Sequence, residues 1–325
     1  MRKIKDKIIS RTHYVSKDLA IIIPTKDRPK EIGSLLQSIK ELDCEVGRVI
    51  VVASGQNIRD LVIEFSKILP VEYYSSESGQ IKQRNKGISL LNDSTKLVAT
   101  IDDDMLFYKT AVLEMIRFWN SIEPDTAGVG FNVVNRPSHR HTWLRGLFGV
   151  SVPEPGRVLK SGSNTSICNV KQNIRSEWLN GGATVWRQDI LKNHPHREII
   201  SRWAVYEDMI FSYPIGLVYP LYICATAAIK TEDFQLAKES PKLSRYQGKT
   251  HFLWGVYFVQ INPQLSISQF YYKKIIEILV YIIKGLFRQE FHRFYLVMGM
   301  FSGFFLSLNC IIRKQNIIEL IEAKT

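Results

Sequence analysis

Acidic residues are in short supply: 31 aspartates and glutamates face 43 lysines and arginines, leaving a net charge of +12. That imbalance suits an anionic partner, whether nucleic acid, an anionic membrane or a phosphorylated substrate, and composition alone does not choose among them. Cysteine is scarce too. Cys44, Cys168, Cys224 and Cys310 lie far apart, with no CxxC pair and no histidine at zinc-finger spacing. This excludes a zinc ribbon or a disulfide framework and predicts reduced thiols. The basic N-terminus (Arg2, Lys3, Lys5, Lys7, Arg11) is not followed by an apolar run of signal-peptide length, so the working part of the chain is expected to face the cytoplasm. No internal repeat or low-complexity tract stands out. What remains is a hydrophobic fraction of 45% in 325 residues, enough to build a sizeable core.

The apolar residues are patterned. Residues 19–25 are a continuous apolar run ending in a turn, as in a strand buried on both faces. Residues 28–42 carry Ile32, Leu35, Leu36 and Ile39 at helical spacing. Val49-Ile50-Val51-Val52 reads as a second buried strand and residues 58–69 as a second helix. Residues 71–74 make a third strand, residues 81–91 a third helix, and residues 97–101 a fourth strand that runs into Asp102. Alternation at this pace predicts a doubly wound α/β sheet flanked by helices. In such sheets ligands bind beyond the carboxyl ends of the strands. Residues 132–160 turn polar and basic and read as a long loop or flap. The core is expected to resume near Trp178 and run to about Thr231.

Chemistry gathers at the strand ends. The adjacent carboxylates of Asp102-Asp103-Asp104 repel one another and stay ionised only beside a cation or strong donors. Alternate residues in extended chain point the same way, so Asp102 and Asp104 can address one ligand while Asp103 faces elsewhere. Hard carboxylate oxygens suit Mg²⁺ or Mn²⁺, which in turn binds a diphosphate. The bland alternative, a helix N-cap, needs only one aspartate. A second acidic cluster, Tyr206-Glu207-Asp208, reads as a helix start; its functional reading is a general base for an acceptor hydroxyl. Gly181-Gly182 permits close backbone approach to a ligand, or serves as a plain turn. His139 and His141 read as solvated loop residues, and His194 and His196, either side of Pro195, as surface residues.

These segments together resemble glycosyltransferase family 2, the inverting group with the GT-A fold. Ile21-Ile22-Ile23-Pro24-Thr25-Lys26-Asp27-Arg28-Pro29 is similar to that family's opening strand and turn. Gly79-Gln80-Ile81-Lys82-Gln83-Arg84-Asn85-Lys86-Gly87 resembles its Gly-x-x-x-Ala-Arg-Asn-x-Gly helix, and Asp102-Asp103-Asp104 its Asp-x-Asp motif. Gly181-Gly182 and Glu207-Asp208 resemble its later motifs, in the family's order. The resemblance covers roughly residues 19–252. It implies a mixed GT-A sheet, with Asp208 as catalytic base beside Glu207. Nucleotide-sugar contacts would come from Pro24, Thr25, Asp27, Arg28, Ser54, Arg84, Asn85, Asp102, Asp103, Gly181 and Gly182. A divalent cation, Mn²⁺ or Mg²⁺, would be held by Asp102, Asp104 and His251. Two positions depart from the pattern. Ala53-Ser54-Gly55 stands where an aspartate commonly reads the nucleobase, and Gln83 stands where a small residue is usual.

The C-terminal stretch has its own pattern. Lys273, Glu277, Lys284 and Arg288, with Tyr281, fall on one helical stripe beside a broad apolar face, the form of an interfacial helix. Residues 294–312 then run without a charge, with Gly299, Ser302, Gly303 and Asn309 on one side, fit for packing against another helix. A helical hairpin lying on the membrane is expected rather than a span. The expected organisation is a basic leader (1–17), a GT-A catalytic domain (18–255) and a membrane-associating helical region (256–325). The function expected is sugar transfer from a nucleotide-sugar donor to a hydroxyl of a glycan or lipid-linked acceptor in cell-surface polysaccharide synthesis, peripherally at the cytoplasmic face. A polyprenyl-phosphate glycosyltransferase and a non-catalytic nucleotide or nucleic-acid binding protein are the alternatives. Nucleic acid is disfavoured because clustered carboxylates repel a phosphate backbone.

Overall fold

The computed structural model describes residues 12–198, 205–232, 240–288, 290, 292–313 and 315–322; Arg2, Lys3, Lys5, Lys7 and Arg11 lie outside that set. The first half alternates as its apolar runs require. Strands β1 (Leu19–Lys26), β2 (Arg48–Ser54), β3 (Val71–Ser75) and β4 (Leu97–Ile101) are interleaved with helices α1 (Pro29–Lys40), α2 (Arg59–Ser66) and α3 (Gln80–Ser89). They pair in parallel in the order β3-β2-β1-β4. Parallel strands covered by helices on both faces are buried on both, and β1 is buried from Leu19 to Thr25.

The second half makes the sheet mixed. It runs through β5 (Met105–Phe107), α4 (Ala111–Trp119), β6 (Gly128–Val133), α5 (Trp143–Leu147), β7 (Ile174–Ser176), β8 (Ala183–Arg187), α6 (Gln188–Asn193), α7 (Glu207–Gly216) and β9 (Leu221–Thr231). β8 lies antiparallel between β4 and β6, and β9 continues the sheet to β5 and β7. The antiparallel register of β4 and β8 puts Ile101 opposite Ala183. That pairing brings Gly181-Gly182 to the aspartates. The expected 132–160 loop begins with the last residues of β6 and holds the short α5; His139 Nε2 bonds the Val152 carbonyl at 2.7 Å and folds the loop on itself.

Four helices close the chain: α8 (Pro241–Ile261), α9 (Ile267–Arg288), α10 (His292–Ile312) and α11 (Ile317–Glu322). α8 starts cleanly because Ser240 Oγ accepts from the Leu243 amide and Pro241, having no N–H, needs no acceptor. α10 lies along α8 on glycines. A Cβ at Gly248 would overlap the Leu296 carbonyl, and one at Gly299 the Arg245 carbonyl. Gly299 and Gly303 of the expected small-residue side thus meet α8, while Asn309 is exposed. The boundary expected at 255/256 falls inside α8, whose Phe258 joins the sheet core while Phe252 and Trp254 join the C-terminal cluster.

α9 turns part of its polar stripe inward and leaves its apolar face exposed. Lys273, Lys274 and Glu277 turn inward, while Tyr272, Ile275, Leu279, Ile283, Leu286 and Phe287 are exposed. The Lys274 ammonium donates to Glu277 at 2.8 Å and contacts His251 Nδ1 at 3.1 Å, and Lys273 reaches Glu277 at 2.6 Å. Burial alone would raise the Glu277 pKa, but the two lysines outweigh it and bring it to about 2. Satisfying three charges against α8 is what leaves the apolar stripe facing out.

Candidate active site

Each side chain of the site is held by an element end. Asp102 follows β4. Its Oδ1 accepts from Arg84 Nη2 at 2.7 Å and from Gln80 Nε2 at 2.8 Å, both on α3. Arg84 is 1% exposed, and its Nη1 meets Glu207 Oε1 at 2.5 Å, so one guanidinium ties the first acidic cluster to the second. Burial would depress the Arg84 pKa, but Glu207, Asp102 and Asp208 outweigh it and the pKa is raised. Gln83, anomalous in the sequence, is buried and donates to the Thr25 and Val52 carbonyls at 2.6 and 2.7 Å, stapling β1 to β2 behind Arg84.

Asp103 does face elsewhere. It accepts from Thr25 Oγ1 at 2.7 Å and Arg28 Nη1 at 2.8 Å, which fixes the β1–α1 turn. Asp104 differs from both: its buried Oδ1 finds no hydrogen-bond partner among the described residues. Burial first, then the charge of Asp102, raise its pKa. A buried carboxylate oxygen without a hydrogen-bond partner fits a bound cation, and Mg²⁺-type ions need only one or two carboxylates when phosphates supply other ligands. No three His, Cys, Asp or Glu side chains cluster at metal-binding spacing among the described residues.

Asp208 is strongly perturbed. It sits in the first turn of α7, and burial first, then Glu207's charge, push its pKa up to about 7 against the opposing pull of Arg84. Glu207 is also raised, chiefly by burial. The glycine pair is explained by what surrounds it. A Cβ at Gly181 would overlap the Asp208 carboxylate, and one at Gly182 the Asp102 carboxylate. The backbone there is wedged between both acids. Tyr206, just before them, adopts φ 70°, a conformation costly for a non-glycine residue. Its ring is held against His251 and Phe258, with centroids 5.1 and 5.8 Å away.

The remaining expected contacts divide. Pro24, Thr25, Asp27, Arg28 and Ser54 gather at the carboxyl ends of β1 and β2. Asp27 accepts from the Gln56 amide at 2.7 Å, and buried Ser54 Oγ has no partner among the described residues. Asn85 does not join them. Successive helical residues lie about 100° apart, so it turns from Arg84's side and donates to the His196 carbonyl at 2.9 Å. His251 packs against the charges of α9. Its Nδ1 takes the Lys274 ammonium, and burial first, then Lys274, lower its pKa to about 3. The neutral ring then carries its proton on Nε2, leaving no lone pair for a metal. His196 is buried rather than at the surface: it is 7% exposed and stacks on Phe211 at 3.6 Å. Gln80 was missed, although its place one turn before Arg84 was a usable signal.

The mixed sheet with its two linked acidic clusters defines a GT-A glycosyltransferase, an enzyme of nucleotide-sugar transfer. Residues 20–180 match the family described as Glycosyl transferase family 2. Solved structures show the same fold at low identity. TarS of S. aureus (residues 1–349) is 15% identical over 84% of this chain and 73% of its own, with a TM-score of 0.51. The mannosyltransferase PcManGT of Pyrobaculum calidifontis, solved with GDP-Man and Mn²⁺, is 14% identical over 88% of this chain and 87% of its own, with a TM-score of 0.54. No curated protein matches the sequence.

Proposed function

We propose that the chain is an inverting glycosyltransferase that moves a sugar from a nucleotide-sugar donor to a hydroxyl of a glycan or lipid-linked acceptor, in cell-surface polysaccharide synthesis. The observation that carries this reading is Asp208, a buried carboxyl whose pKa of about 7 suits a base at neutral pH. Its carboxylate takes the acceptor hydroxyl's proton as that oxygen attacks the anomeric carbon from the face opposite the leaving group. Arg84 faces the base with its charge, and the Gly181 backbone hydrogen-bonds it. Pro24, Thr25, Asp27, Arg28 and Ser54 line the nucleotide pocket, and Gly181-Gly182 lets the donor approach. Asp102 and Asp104 would hold a divalent cation, which when bound supplies charge neutralisation to the diphosphate. The unpartnered Asp104 oxygen supports that assignment, and PcManGT was solved with Mn²⁺.

The catalytic unit spans 18–255 in this reading, with the region 256–325 mediating peripheral association with the cytoplasmic face of a membrane. The exposed apolar side of α9 supports it. Asp208→Asn tests the mechanism. Removing a positioned base lowers kcat by ~10²–10⁴-fold, with nucleotide affinity unchanged by calorimetry. Near-normal turnover of Asp208→Asn would exclude the base assignment.

A further inference from the structure

The polar, basic stretch after β6 takes no part in the transfer chemistry. β6 and β4 both run antiparallel to β8, so β6 ends at the same edge of the sheet as the aspartates. Arg136 leaves that end. Asn135, just before it, is fixed by three hydrogen bonds to Thr231, of 2.7, 2.9 and 3.2 Å. Thr231 pairs with Met105, and the next amide, that of Glu232, donates to the Asp104 carbonyl at 2.8 Å. Arg136 is thereby held beside Asp104. Burial first and the charge of Asp102 next raise the Asp104 pKa, and the charge of Arg136 opposes them. Yet half-buried Arg136 makes no hydrogen bond or ion pair among the described residues. Further along, Arg140 and Arg145 are exposed. Arg145 Nη1 donates to the Arg140 carbonyl at 3.0 Å, which folds both cations into one loop. Neither meets a carboxylate among the described residues, and residues 134–160 contain a single acid, Glu154. Trp143, between the two arginines, is 74% exposed.

We propose that this loop binds the acceptor and that the acceptor is an anionic glycan, carrying phosphate or carboxylate groups. The inference rests on the transfer reading above and names the charge of its acceptor. Sheet order separates this anion from the donor's nucleotide. The expected nucleotide contacts gather at the ends of β1 and β2, whereas the order β1-β4-β8-β6 puts the strand that carries Arg136 three places from β1, about 14 Å away. It lies beyond the aspartates, on the side where an acceptor must approach. A guanidinium grips phosphate or carboxylate through paired N–H donors. A neutral glycan would leave all three arginines without a counter-charge. Trp143 offers a flat ring for the C–H face of a sugar, the amphipathic kind of surface that interfaces use.

The test is affinity electrophoresis of the full chain in gels holding dextran, phosphomannan, polygalacturonate or single-stranded DNA, beside calorimetry of UDP and GDP with Mn²⁺. Phosphomannan or polygalacturonate retards the protein and dextran does not; the stronger of the two tells phosphate from carboxylate. Arg136→Gln weakens retention ~10-fold, the loss of one charged contact, with nucleotide affinity unchanged. Arg140→Gln with Arg145→Gln does the same and covers the case that Arg136→Gln does not fold. Lys40→Gln with Lys67→Gln, at the ends of α1 and α2 that lead back to the amino ends of β2 and β3, leaves retention intact. Equal retention by dextran, tighter retention by DNA than by either charged glycan, or an equal loss in the lysine variant overturns the proposal. So does a change of nucleotide affinity in Arg136→Gln with glycan retention untouched, which would assign Arg136 to the donor. Glycan retention without UDP or GDP binding would count against the transfer reading and leave the anionic glycan site standing.

Discussion

Asp208 illustrates how a single residue is tuned by its neighbours. Burial disfavours its charge, Glu207 repels it, and Arg84 recovers only part of the loss. A carboxyl raised to about 7 is the proton-accepting species only above that pH, so kcat/KM should rise as pH climbs from 6 to 8. A profile flat across that window would place the essential titration elsewhere. The same shift has a stability sign. With the folded pKa above the unfolded one, the group's stabilisation is present below about pH 4 and lost as pH rises through 7. Working at neutral pH therefore costs stability. Asp104 poses the complementary case, an acid lacking a partner. Asp104→Ala should weaken nucleotide binding when Mn²⁺ is present and leave it unchanged in chelator; equal effects in both would remove this residue from the metal assignment.

Among the elements, α8 does most to integrate the molecule. One stretch of it packs under the sheet through Phe258, and another receives α10 on Gly248, Gly299 and Gly303. At Gly299 a side chain meets backbone, which cannot swing aside. Gly299→Val should therefore cost about 1–3 kcal/mol, as overpacking does, seen as a lower urea midpoint. An unchanged midpoint would show that the two helices are not held at this crossing. Tyr206 is the other hinge between units. Its strained backbone sits directly before the acidic pair, and its ring lies on His251, which the α9 lysine pins. The start of α7 is thereby braced by the C-terminal helices.

For the whole molecule, the excess of +12 and the exposed apolar face of α9 lead to different membrane behaviour. Two lysines of α9, Lys273 and Lys274, are committed to Glu277 inside the protein. Membrane binding should therefore depend on apolar insertion more than on charge, with burial of each Leu, Ile or Phe contributing about 1.5–3 kcal/mol. Binding to vesicles of anionic lipid should survive high salt and fall sharply in Ile283→Glu or Phe287→Glu. Full release by salt alone would restore the electrostatic account. α10 is long and apolar enough to cross a membrane, yet a third of its apolar window is buried against the protein, which agrees with a helix lying beside α8.

The sequence by itself determined the parallel half of the sheet, the order of the motifs and the two acidic clusters. These are written in local pattern: apolar runs of strand length, helical spacing, and polar residues at strand ends. Tertiary structure alone decided which nitrogens and oxygens meet. The antiparallel insertion of β8 brings Gly181-Gly182 between two carboxylates that lie 106 residues apart in the chain, Asp102 and Asp208. The rotation of α9 was equally illegible, because a helix's polar stripe faces water or a partner according to what lies opposite. Here His251 and the paired lysines and glutamate face inward, and the apolar side is left out. His251 looked free for a metal and His196 looked idle for the same reason: a histidine's role depends on the neighbours of its ring, and those come from distant parts of the chain.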